Sequence, residues 1–220
     1  MLITAAQVLK YDGDRLLLQP ADDIGRELKQ KQITSVELRL PDGRSISPMQ
    51  RRKIWALITD IDEWAGNFVP EYTRNILEYN FITQMEYEEW FSLSTVDMTT
   101  ARLFINYLVA FCFENNVPTK DTLLHQTDDI GKYLYLCLEH RKCAICNDYA
   151  EVHHVDRIGM GRDREKVVHI GLRAIALCHN HHIEAHDDEK GLFNKYHIYG
   201  IRLDKYLCDC LNLNTKERNS

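Results

Sequence analysis

Between residues 143 and 186 the chain carries Cys143-x-x-Cys146, then His153-His154, then Cys178-x-x-His181-His182-x-x-x-His186. That density of thiols and imidazoles exceeds what packing requires, and it restricts this stretch to folds that gather such groups around metal ions. Cys-x-x-Cys followed about thirty residues later by Cys-x-x-His is a tetrahedral zinc pattern, because a two-residue gap lets a tight turn present both sulfurs to one ion at about 2.3 Å. Cys143 and Cys146 supply one knuckle, and Cys178 and His181 the other. His179 and His182 flank His181 as competing imidazoles. In a region poor in bulky aliphatic side chains, metal affinity and folding free energy become the same quantity.

The remaining histidines need a second centre. On a helix starting near His179, His182 and His186 differ by about 40° in direction and can share one ion, whereas His181 lies about 100° from His182. One helix start can therefore feed two metals on different sides. His153 and His154 belong to the extended run Glu151 to Val155, and as neighbours in a strand they point to opposite faces, so both cannot serve one ion there.

Composition sets outer limits. A 220-residue chain that is 45% hydrophobic and 27% charged is ordinary for a globular protein of one large or two small domains, which excludes wholesale disorder. No apolar run is long enough to span a bilayer, and Met1 to Lys10 lacks the pattern of a secretory signal, so a cytosolic protein without membrane association is expected. Seven is an odd number of cysteines, and those of the 143–186 cluster have metal spacing rather than the character of a disulfide framework. Cys112, Cys137, Cys208 and Cys210 lie in apolar stretches and are expected to be small buried hydrophobes.

The net charge of -6 is concentrated early: Lys and Arg number 14 against 20 Asp and Glu before Glu139, and 13 against 13 from Glu139 onward. A neutral carboxy-terminal part can still bind a phosphodiester through a local basic loop and a divalent ion. Arg157, Arg162, Arg164 and Lys166 form such a loop, loosened by Gly159 and Gly161 and partly cancelled by Asp156, Asp163 and Glu165. It reads either as a set of phosphate contacts or as a mixed-charge solvated loop.

Upstream, Leu2 to Leu9, Arg15 to Gln19 and Ile33 to Leu40 read as strands, with a turn at Tyr11-Asp12-Gly13-Asp14 and a short helix between Asp22 and Lys31. Ser47-Pro48-Met49-Gln50 has the parts of a capping box and opens a helix through Ile54, Trp55, Leu57, Ile58 and Ile61. Tyr72 to Phe81 and Thr99 to Asn115 are further helices by apolar spacing. Thr119 to Thr127 reads as a linker, and Asp128 to Arg141 as a helix leading into the metal cluster.

The ordered Cys/His constellation resembles the HNH, or ββα-metal, nuclease family, in its zinc-knuckle form, over about 50 residues. The resemblance implies a two-stranded hairpin and a helix around one divalent cation. His153 takes the place of the strand ligand, His154 that of the general base, and His182 and His186 those of the helix ligands. Cys143, Cys146, Cys178 and His181 take the places of the structural zinc ligands. The family's middle asparagine, which props the base, would fall near Arg173; either Arg173 or another group supports His154, or the second strand is shifted, with His169 nearby.

The run Gln50-Arg51-Arg52-Lys53-Ile54-Trp55-Ala56, with Ser94-Thr95, Met98 and the helix ending at Asn116-Val117, resembles the Orf (NinB) recombination mediators of lambdoid phages. This implies a homodimer that meets single-stranded DNA and the host single-strand-binding protein, with Arg51, Arg52 and Lys53 as candidate DNA contacts.

The expectation is an α+β chain. A small α/β amino-terminal domain (1–120) that meets DNA or single-strand-binding protein is followed by a linker and connecting helix (121–140). A zinc-stabilised ββα-metal domain (141–212) and a frayed tail (213–220) complete it. Its expected cofactors are one structural Zn²⁺ and one catalytic Mg²⁺, Mn²⁺, Ni²⁺ or Zn²⁺. Its expected activity is endonucleolytic cleavage of single-stranded, branched or nicked DNA in the host cytoplasm during phage recombination or replication. The alternatives are a zinc-knuckle adaptor that grips DNA or protein without cutting, and a restriction-type nuclease.

Overall fold

A computed structural model of the chain describes residues 4, 6–34, 36, 43–86, 90–156 and 167–215. The chain folds as two compact units, residues 1–41 and 42–220.

In the first unit, β1 (Ala6–Asp12) and β2 (Arg15–Pro20) form an antiparallel hairpin with an irregularity between Val8 and Lys10. Gly13 closes it with φ +63°, a backbone region that costs glycine least. Helix α1 (Gly25–Gln30) follows. The expected third strand, Ile33 to Leu40, falls largely outside the described residues.

The second unit is built on one continuous buried cluster running from Ile46 to Leu211. Helix α2 (Pro48–Ala65) starts as its sequence dictates: the Ser47 hydroxyl accepts from the Gln50 amide at 3.1 Å, and the Gln50 side chain accepts from the Ser47 amide at 3.0 Å. Gly66, in the left-handed region at φ 71°, ends it. Helices α3 (Pro70–Met85) and α4 (Met98–Glu114) pack against α2, burying Ile54, Leu57, Ile58, Leu77, Phe81, Phe104 and Leu108. Helix α3 extends beyond the expected Tyr72 to Phe81 at both ends, opening at Pro70 and closing with a turn whose Ile82 and Met85 still pack on the core. The buried carboxylates of Asp62 and Glu78 are paired: Asp62 accepts from the Thr73 hydroxyl and the Val69 amide, and Glu78 from Arg74 and the Phe91 amide.

Residues 119–127 contain a short helix, α5 (Leu123–Gln126), with Leu123 buried. Helix α6 (Ile130–Glu139) then packs on α4. The carboxy-terminal elements are β3 (Glu151–His154), β4 (Arg173–Leu177), α7 (His179–Tyr196), β5 (Ile201–Arg202) and α8 (Lys205–Leu211). The three strands form an antiparallel sheet in the order β3-β4-β5, and α6 packs against β4 and α8.

Cys112, Cys137 and Cys208 are buried, but Cys210 is exposed, against expectation: it is two residues from Cys208, on the outer side of the short helix α8. No helix among the described residues is long and apolar enough to cross a membrane.

Candidate metal centres

The first knuckle is a tight loop held from several directions. Asn147, at φ 60°, lets the chain reverse, and its amide donates to the Cys143 carbonyl at 2.9 Å. The Cys143 amide donates to the Asp148 carbonyl at 2.7 Å, and the Ala144 amide to Ala176 on β4 at 2.9 Å. Helix α6 braces the loop through Tyr133, whose hydroxyl donates to the Ala144 carbonyl at 3.0 Å and accepts from the Asn147 side chain at 2.9 Å. The second knuckle is the start of α7, with Cys178 at the N-cap.

These pieces bring Cys143, Cys146, Cys178 and His181 together, one ligand atom from each lying within 4.8 Å of the others. A tetrahedral zinc with sulfur at about 2.3 Å and nitrogen at about 2.0 Å sets a sulfur–sulfur gap of about 3.8 Å and a sulfur–nitrogen gap of about 3.5 Å. Cys146 Sγ lies 3.7 Å from Cys178 Sγ, and His181 Nδ1 lies 3.2, 3.4 and 3.7 Å from the sulfurs of Cys178, Cys143 and Cys146. The arrangement is compatible with zinc. Burial, and then the neighbouring Cys143 sulfur, push the Cys146 thiol well up, so these sulfurs ionise together only beside a compensating cation.

On the far side of the same helix start a second set forms. His153 (4% exposed), His182 and His186 approach with ring centroids 4.9–5.2 Å apart, and one ligand nitrogen from each also lies within 4.8 Å of the others. The register of β3 on β4 pairs His153 with Ile175 and His154 with Ala174. The two side chains leave on opposite faces as period-two geometry requires, one meeting α7 and the other meeting His169. His186 is exposed, so this set opens to solvent where the thiolate set is closed.

The buried Nδ1 of His153 has no hydrogen-bond partner among the described residues, and its Nε2 lies 2.9 Å from Glu189 Oε2. His182 Nδ1 lies 3.4 Å from a Glu151 carboxylate oxygen. An orphaned buried nitrogen among three imidazoles backed by carboxylates is the donor set a divalent cation fits.

His154 Nε2 lies 2.9 Å from His169 Nδ1. Burial, followed by the charges of His169, His153 and His182, lowers the His154 pKa to about 4. Burial also lowers His169, and burial and then His153 lower His182. Below its ordinary pKa of about 6.5 the unfolded imidazole binds a proton that the folded one refuses until about pH 4, so stability present above pH 6.5 is lost across that interval. With no divalent cation added, thermal melts of the wild type are expected to drop more between pH 7 and pH 5 than those of His154→Gln. Parallel pH curves would contradict this origin.

Arg173 is engaged elsewhere. Its amide, Nε and Nη2 all donate to Asp156, at 2.7, 3.0 and 2.6 Å, while the His154 ring pairs with His169. Arg157, Arg162, Arg164 and Lys166 lie outside the described residues. Arg51 Nη2 donates to the Ser94 carbonyl at 3.2 Å, Lys53 donates to Asp128 and the Thr127 carbonyl, and Arg52 is exposed. Glu189 and Glu151 escape motif reading, although Glu189 stands seven residues after His182 and Glu151 two before His153.

The model of the family described as Putative HNHc nuclease matches residues 20–214. No curated protein and no solved structure gives a significant match.

Proposed function

The chain belongs to the HNH nuclease family, and from that premise we propose that it is a metal-dependent DNA endonuclease that uses His154 as its base and the His153, His182 and His186 set as its cation site. The observation that carries this reading is the division of the His153-His154 dipeptide: one imidazole joins two helix histidines, and its neighbour stands on the other face of the strand, held by His169.

When bound, a divalent cation at the three imidazoles supplies positive charge to the non-bridging and leaving oxygens of a phosphodiester. His154 supplies the base. In the tautomer that donates its Nε2–H to His169 Nδ1, His154 keeps the lone pair on Nδ1 to take a proton from water, and its lowered pKa keeps it neutral at pH 7. The Cys143, Cys146, Cys178 and His181 set, holding zinc, fixes the start of α7 and so the direction of His182 and His186.

The finer assignment extends the resemblance of the amino-terminal part to Orf-type mediators. The protein acts in the bacterial cytoplasm on single-stranded, branched or nicked DNA during phage recombination, as a homodimer beside the host single-strand-binding protein. The division of labour falls at residues 121–140. Of the three basic residues in α2, Arg52 is exposed and meets the weak acceptor Met49 Sδ at 3.8 Å, which leaves it the one best able to turn to a phosphate, and Arg157, Arg162, Arg164 and Lys166, between β3 and β4 in the sequence, supply further phosphate contacts.

Incubation with supercoiled plasmid is expected to yield nicked circles in Mg²⁺ or Mn²⁺ and none in EDTA. A faster rate on branched or single-stranded substrates marks the recombination role, and site-specific cutting of plain duplex marks a restriction role. Binding without scission on every substrate and cation would leave the zinc-knuckle adaptor.

A further inference from the structure

Helix α7 is broken. Asp188 has φ -148° and ψ 78°, well outside helical values, and two helical segments meet there. The Asp188 carboxylate accepts from the Gly191 amide at 2.9 Å, capping the second segment as an N-cap residue does. Gly191 is part of the device: a Cβ at that position would lie 2.0 Å from Asp188 Oδ2. The residue that follows the break is Glu189, one third exposed, whose Oε2 lies 2.9 Å from Nε2 of the buried His153.

A neutral imidazole has one N–H and one lone pair, and the group hydrogen-bonded to one nitrogen decides which is which. A carboxylate can only accept. Glu189 therefore requires the proton on Nε2 of His153 and leaves the lone pair on Nδ1, the atom that is buried and has no partner among the described residues. Glu189 is not in the set of mutually close ligand atoms that His153, His182 and His186 form. It stands behind the ligand.

We propose that Glu189, presented by the break at Asp188, is a positioning residue for the imidazole centre: it fixes the Nε2–H tautomer and orientation of His153 so that Nδ1 is the donor offered to a divalent cation. This rests on the assignment of the three histidines to a cation site, but it can fail while that assignment stands. Carboxylates placed in this way behind a ligating histidine typically contribute 10–100-fold in metal affinity.

The test uses the full-length protein with its zinc in place. Long-range ¹H–¹⁵N spectra before cation addition are expected to show His153 as the Nε2–H tautomer in the wild type and in Glu189→Gln, whose amide oxygen can accept the same bond, and as a tautomer mixture in Glu189→Ala. Co²⁺ titration by calorimetry is expected to give a 10–100-fold weaker imidazole site in Glu189→Ala, substantial recovery in Glu189→Gln, unchanged zinc content, and no change for Glu184→Ala on the same helix. A wild-type His153 protonated on Nδ1 would overturn the proposal, as would Co²⁺ affinity of Glu189→Ala within twofold of wild type. If Glu189→Gln binds Co²⁺ as weakly as Glu189→Ala, the carboxylate acts by charge or direct ligation, and the positioning role is likewise lost. Absence of Co²⁺ binding in the wild type would instead remove the cation site itself.

Discussion

Replacing His154 by Ala is expected to abolish DNA nicking while leaving both candidate metal centres filled. Positioned bases contribute about 10²–10⁴ in rate, and a loss of that size in single-turnover nicking is the expected result. His154 lies on the opposite face of β3 from His153 and is held by His169, and the imidazole set assembled from His153, His182 and His186 does not include it. Mn²⁺ affinity and zinc content should therefore stay within about twofold of wild type, a difference worth less than about 0.5 kcal/mol in binding. An inactive variant that has also lost Mn²⁺ would place His154 among the ligands rather than opposite them. A variant that cuts at the wild-type rate would end the base assignment. His169 offers a graded comparison: His169→Ala removes the group at 2.9 Å from the His154 ring, while the side-chain oxygen of His169→Asn can accept an Nε2–H from His154, so if His154 is the donor of that contact, as the proposed base requires, Asn should retain more activity than Ala.

The Ser47 capping box is legible in the sequence because each of its parts is local: a hydroxyl, a proline without a donor and a glutamine three positions on. The two metal sets are legible for the same reason, since knuckle turns and four-residue helix spacing are short-range geometry. His169 is different. It reaches His154 only because the chain between the two strands returns Nδ1 of a residue 15 positions away, and no spacing rule specifies that return.

Arg173 illustrates the opposite difficulty. It occupies the expected position on β4, but the Asp156 carboxylate draws it away, Oδ1 accepting from both Nε and Nη2 while Oδ2 accepts from the Arg173 amide. Lys53 of the basic run is likewise drawn to Asp128, 75 residues away, an ion pair that no local pattern announces. Glu189 carries no usable spacing signal: seven residues from His182 would be a rotation of about 20° on an unbroken helix, but the break at Asp188 lies between them. The break at Asp188 has a sequence cue of its own, an Asp followed three residues later by Gly191.

The second large effect concerns the closed centre. Cys143→Ser is expected to lose the zinc and, with it, the folded state of the carboxy-terminal part. Serine keeps the size but not the soft thiolate, and the remaining Cys146, Cys178 and His181 would face a cation with one strong donor missing. The consequence is not confined to the loop. Cys143 is fully buried in the cluster that also holds Leu134, Leu138, Ile175 and Leu177, and the neighbouring Ala144 amide is bonded to β4. Structural zinc contributes about 10–16 kcal/mol in small zinc-binding peptides, whereas whole domains are stable by about 5–15 kcal/mol. Even about 3 kcal/mol lost at about 2–4 °C per kcal/mol lowers the melting temperature by roughly 6–12 °C. Calorimetry with metal analysis of the same sample checks this, and Cys210→Ser, altering an exposed thiol, should change neither quantity. Because α7 begins at Cys178 and carries His181 and His182 in its first turn, loss of the thiolate set should also weaken Co²⁺ binding at the imidazole set. A Cys143→Ser protein that has lost its zinc yet melts within about 2 °C of wild type, less than about 1 kcal/mol, would show that the hydrophobic cluster alone holds these two elements in place, and one that keeps its zinc would show that Cys143 is not a required ligand.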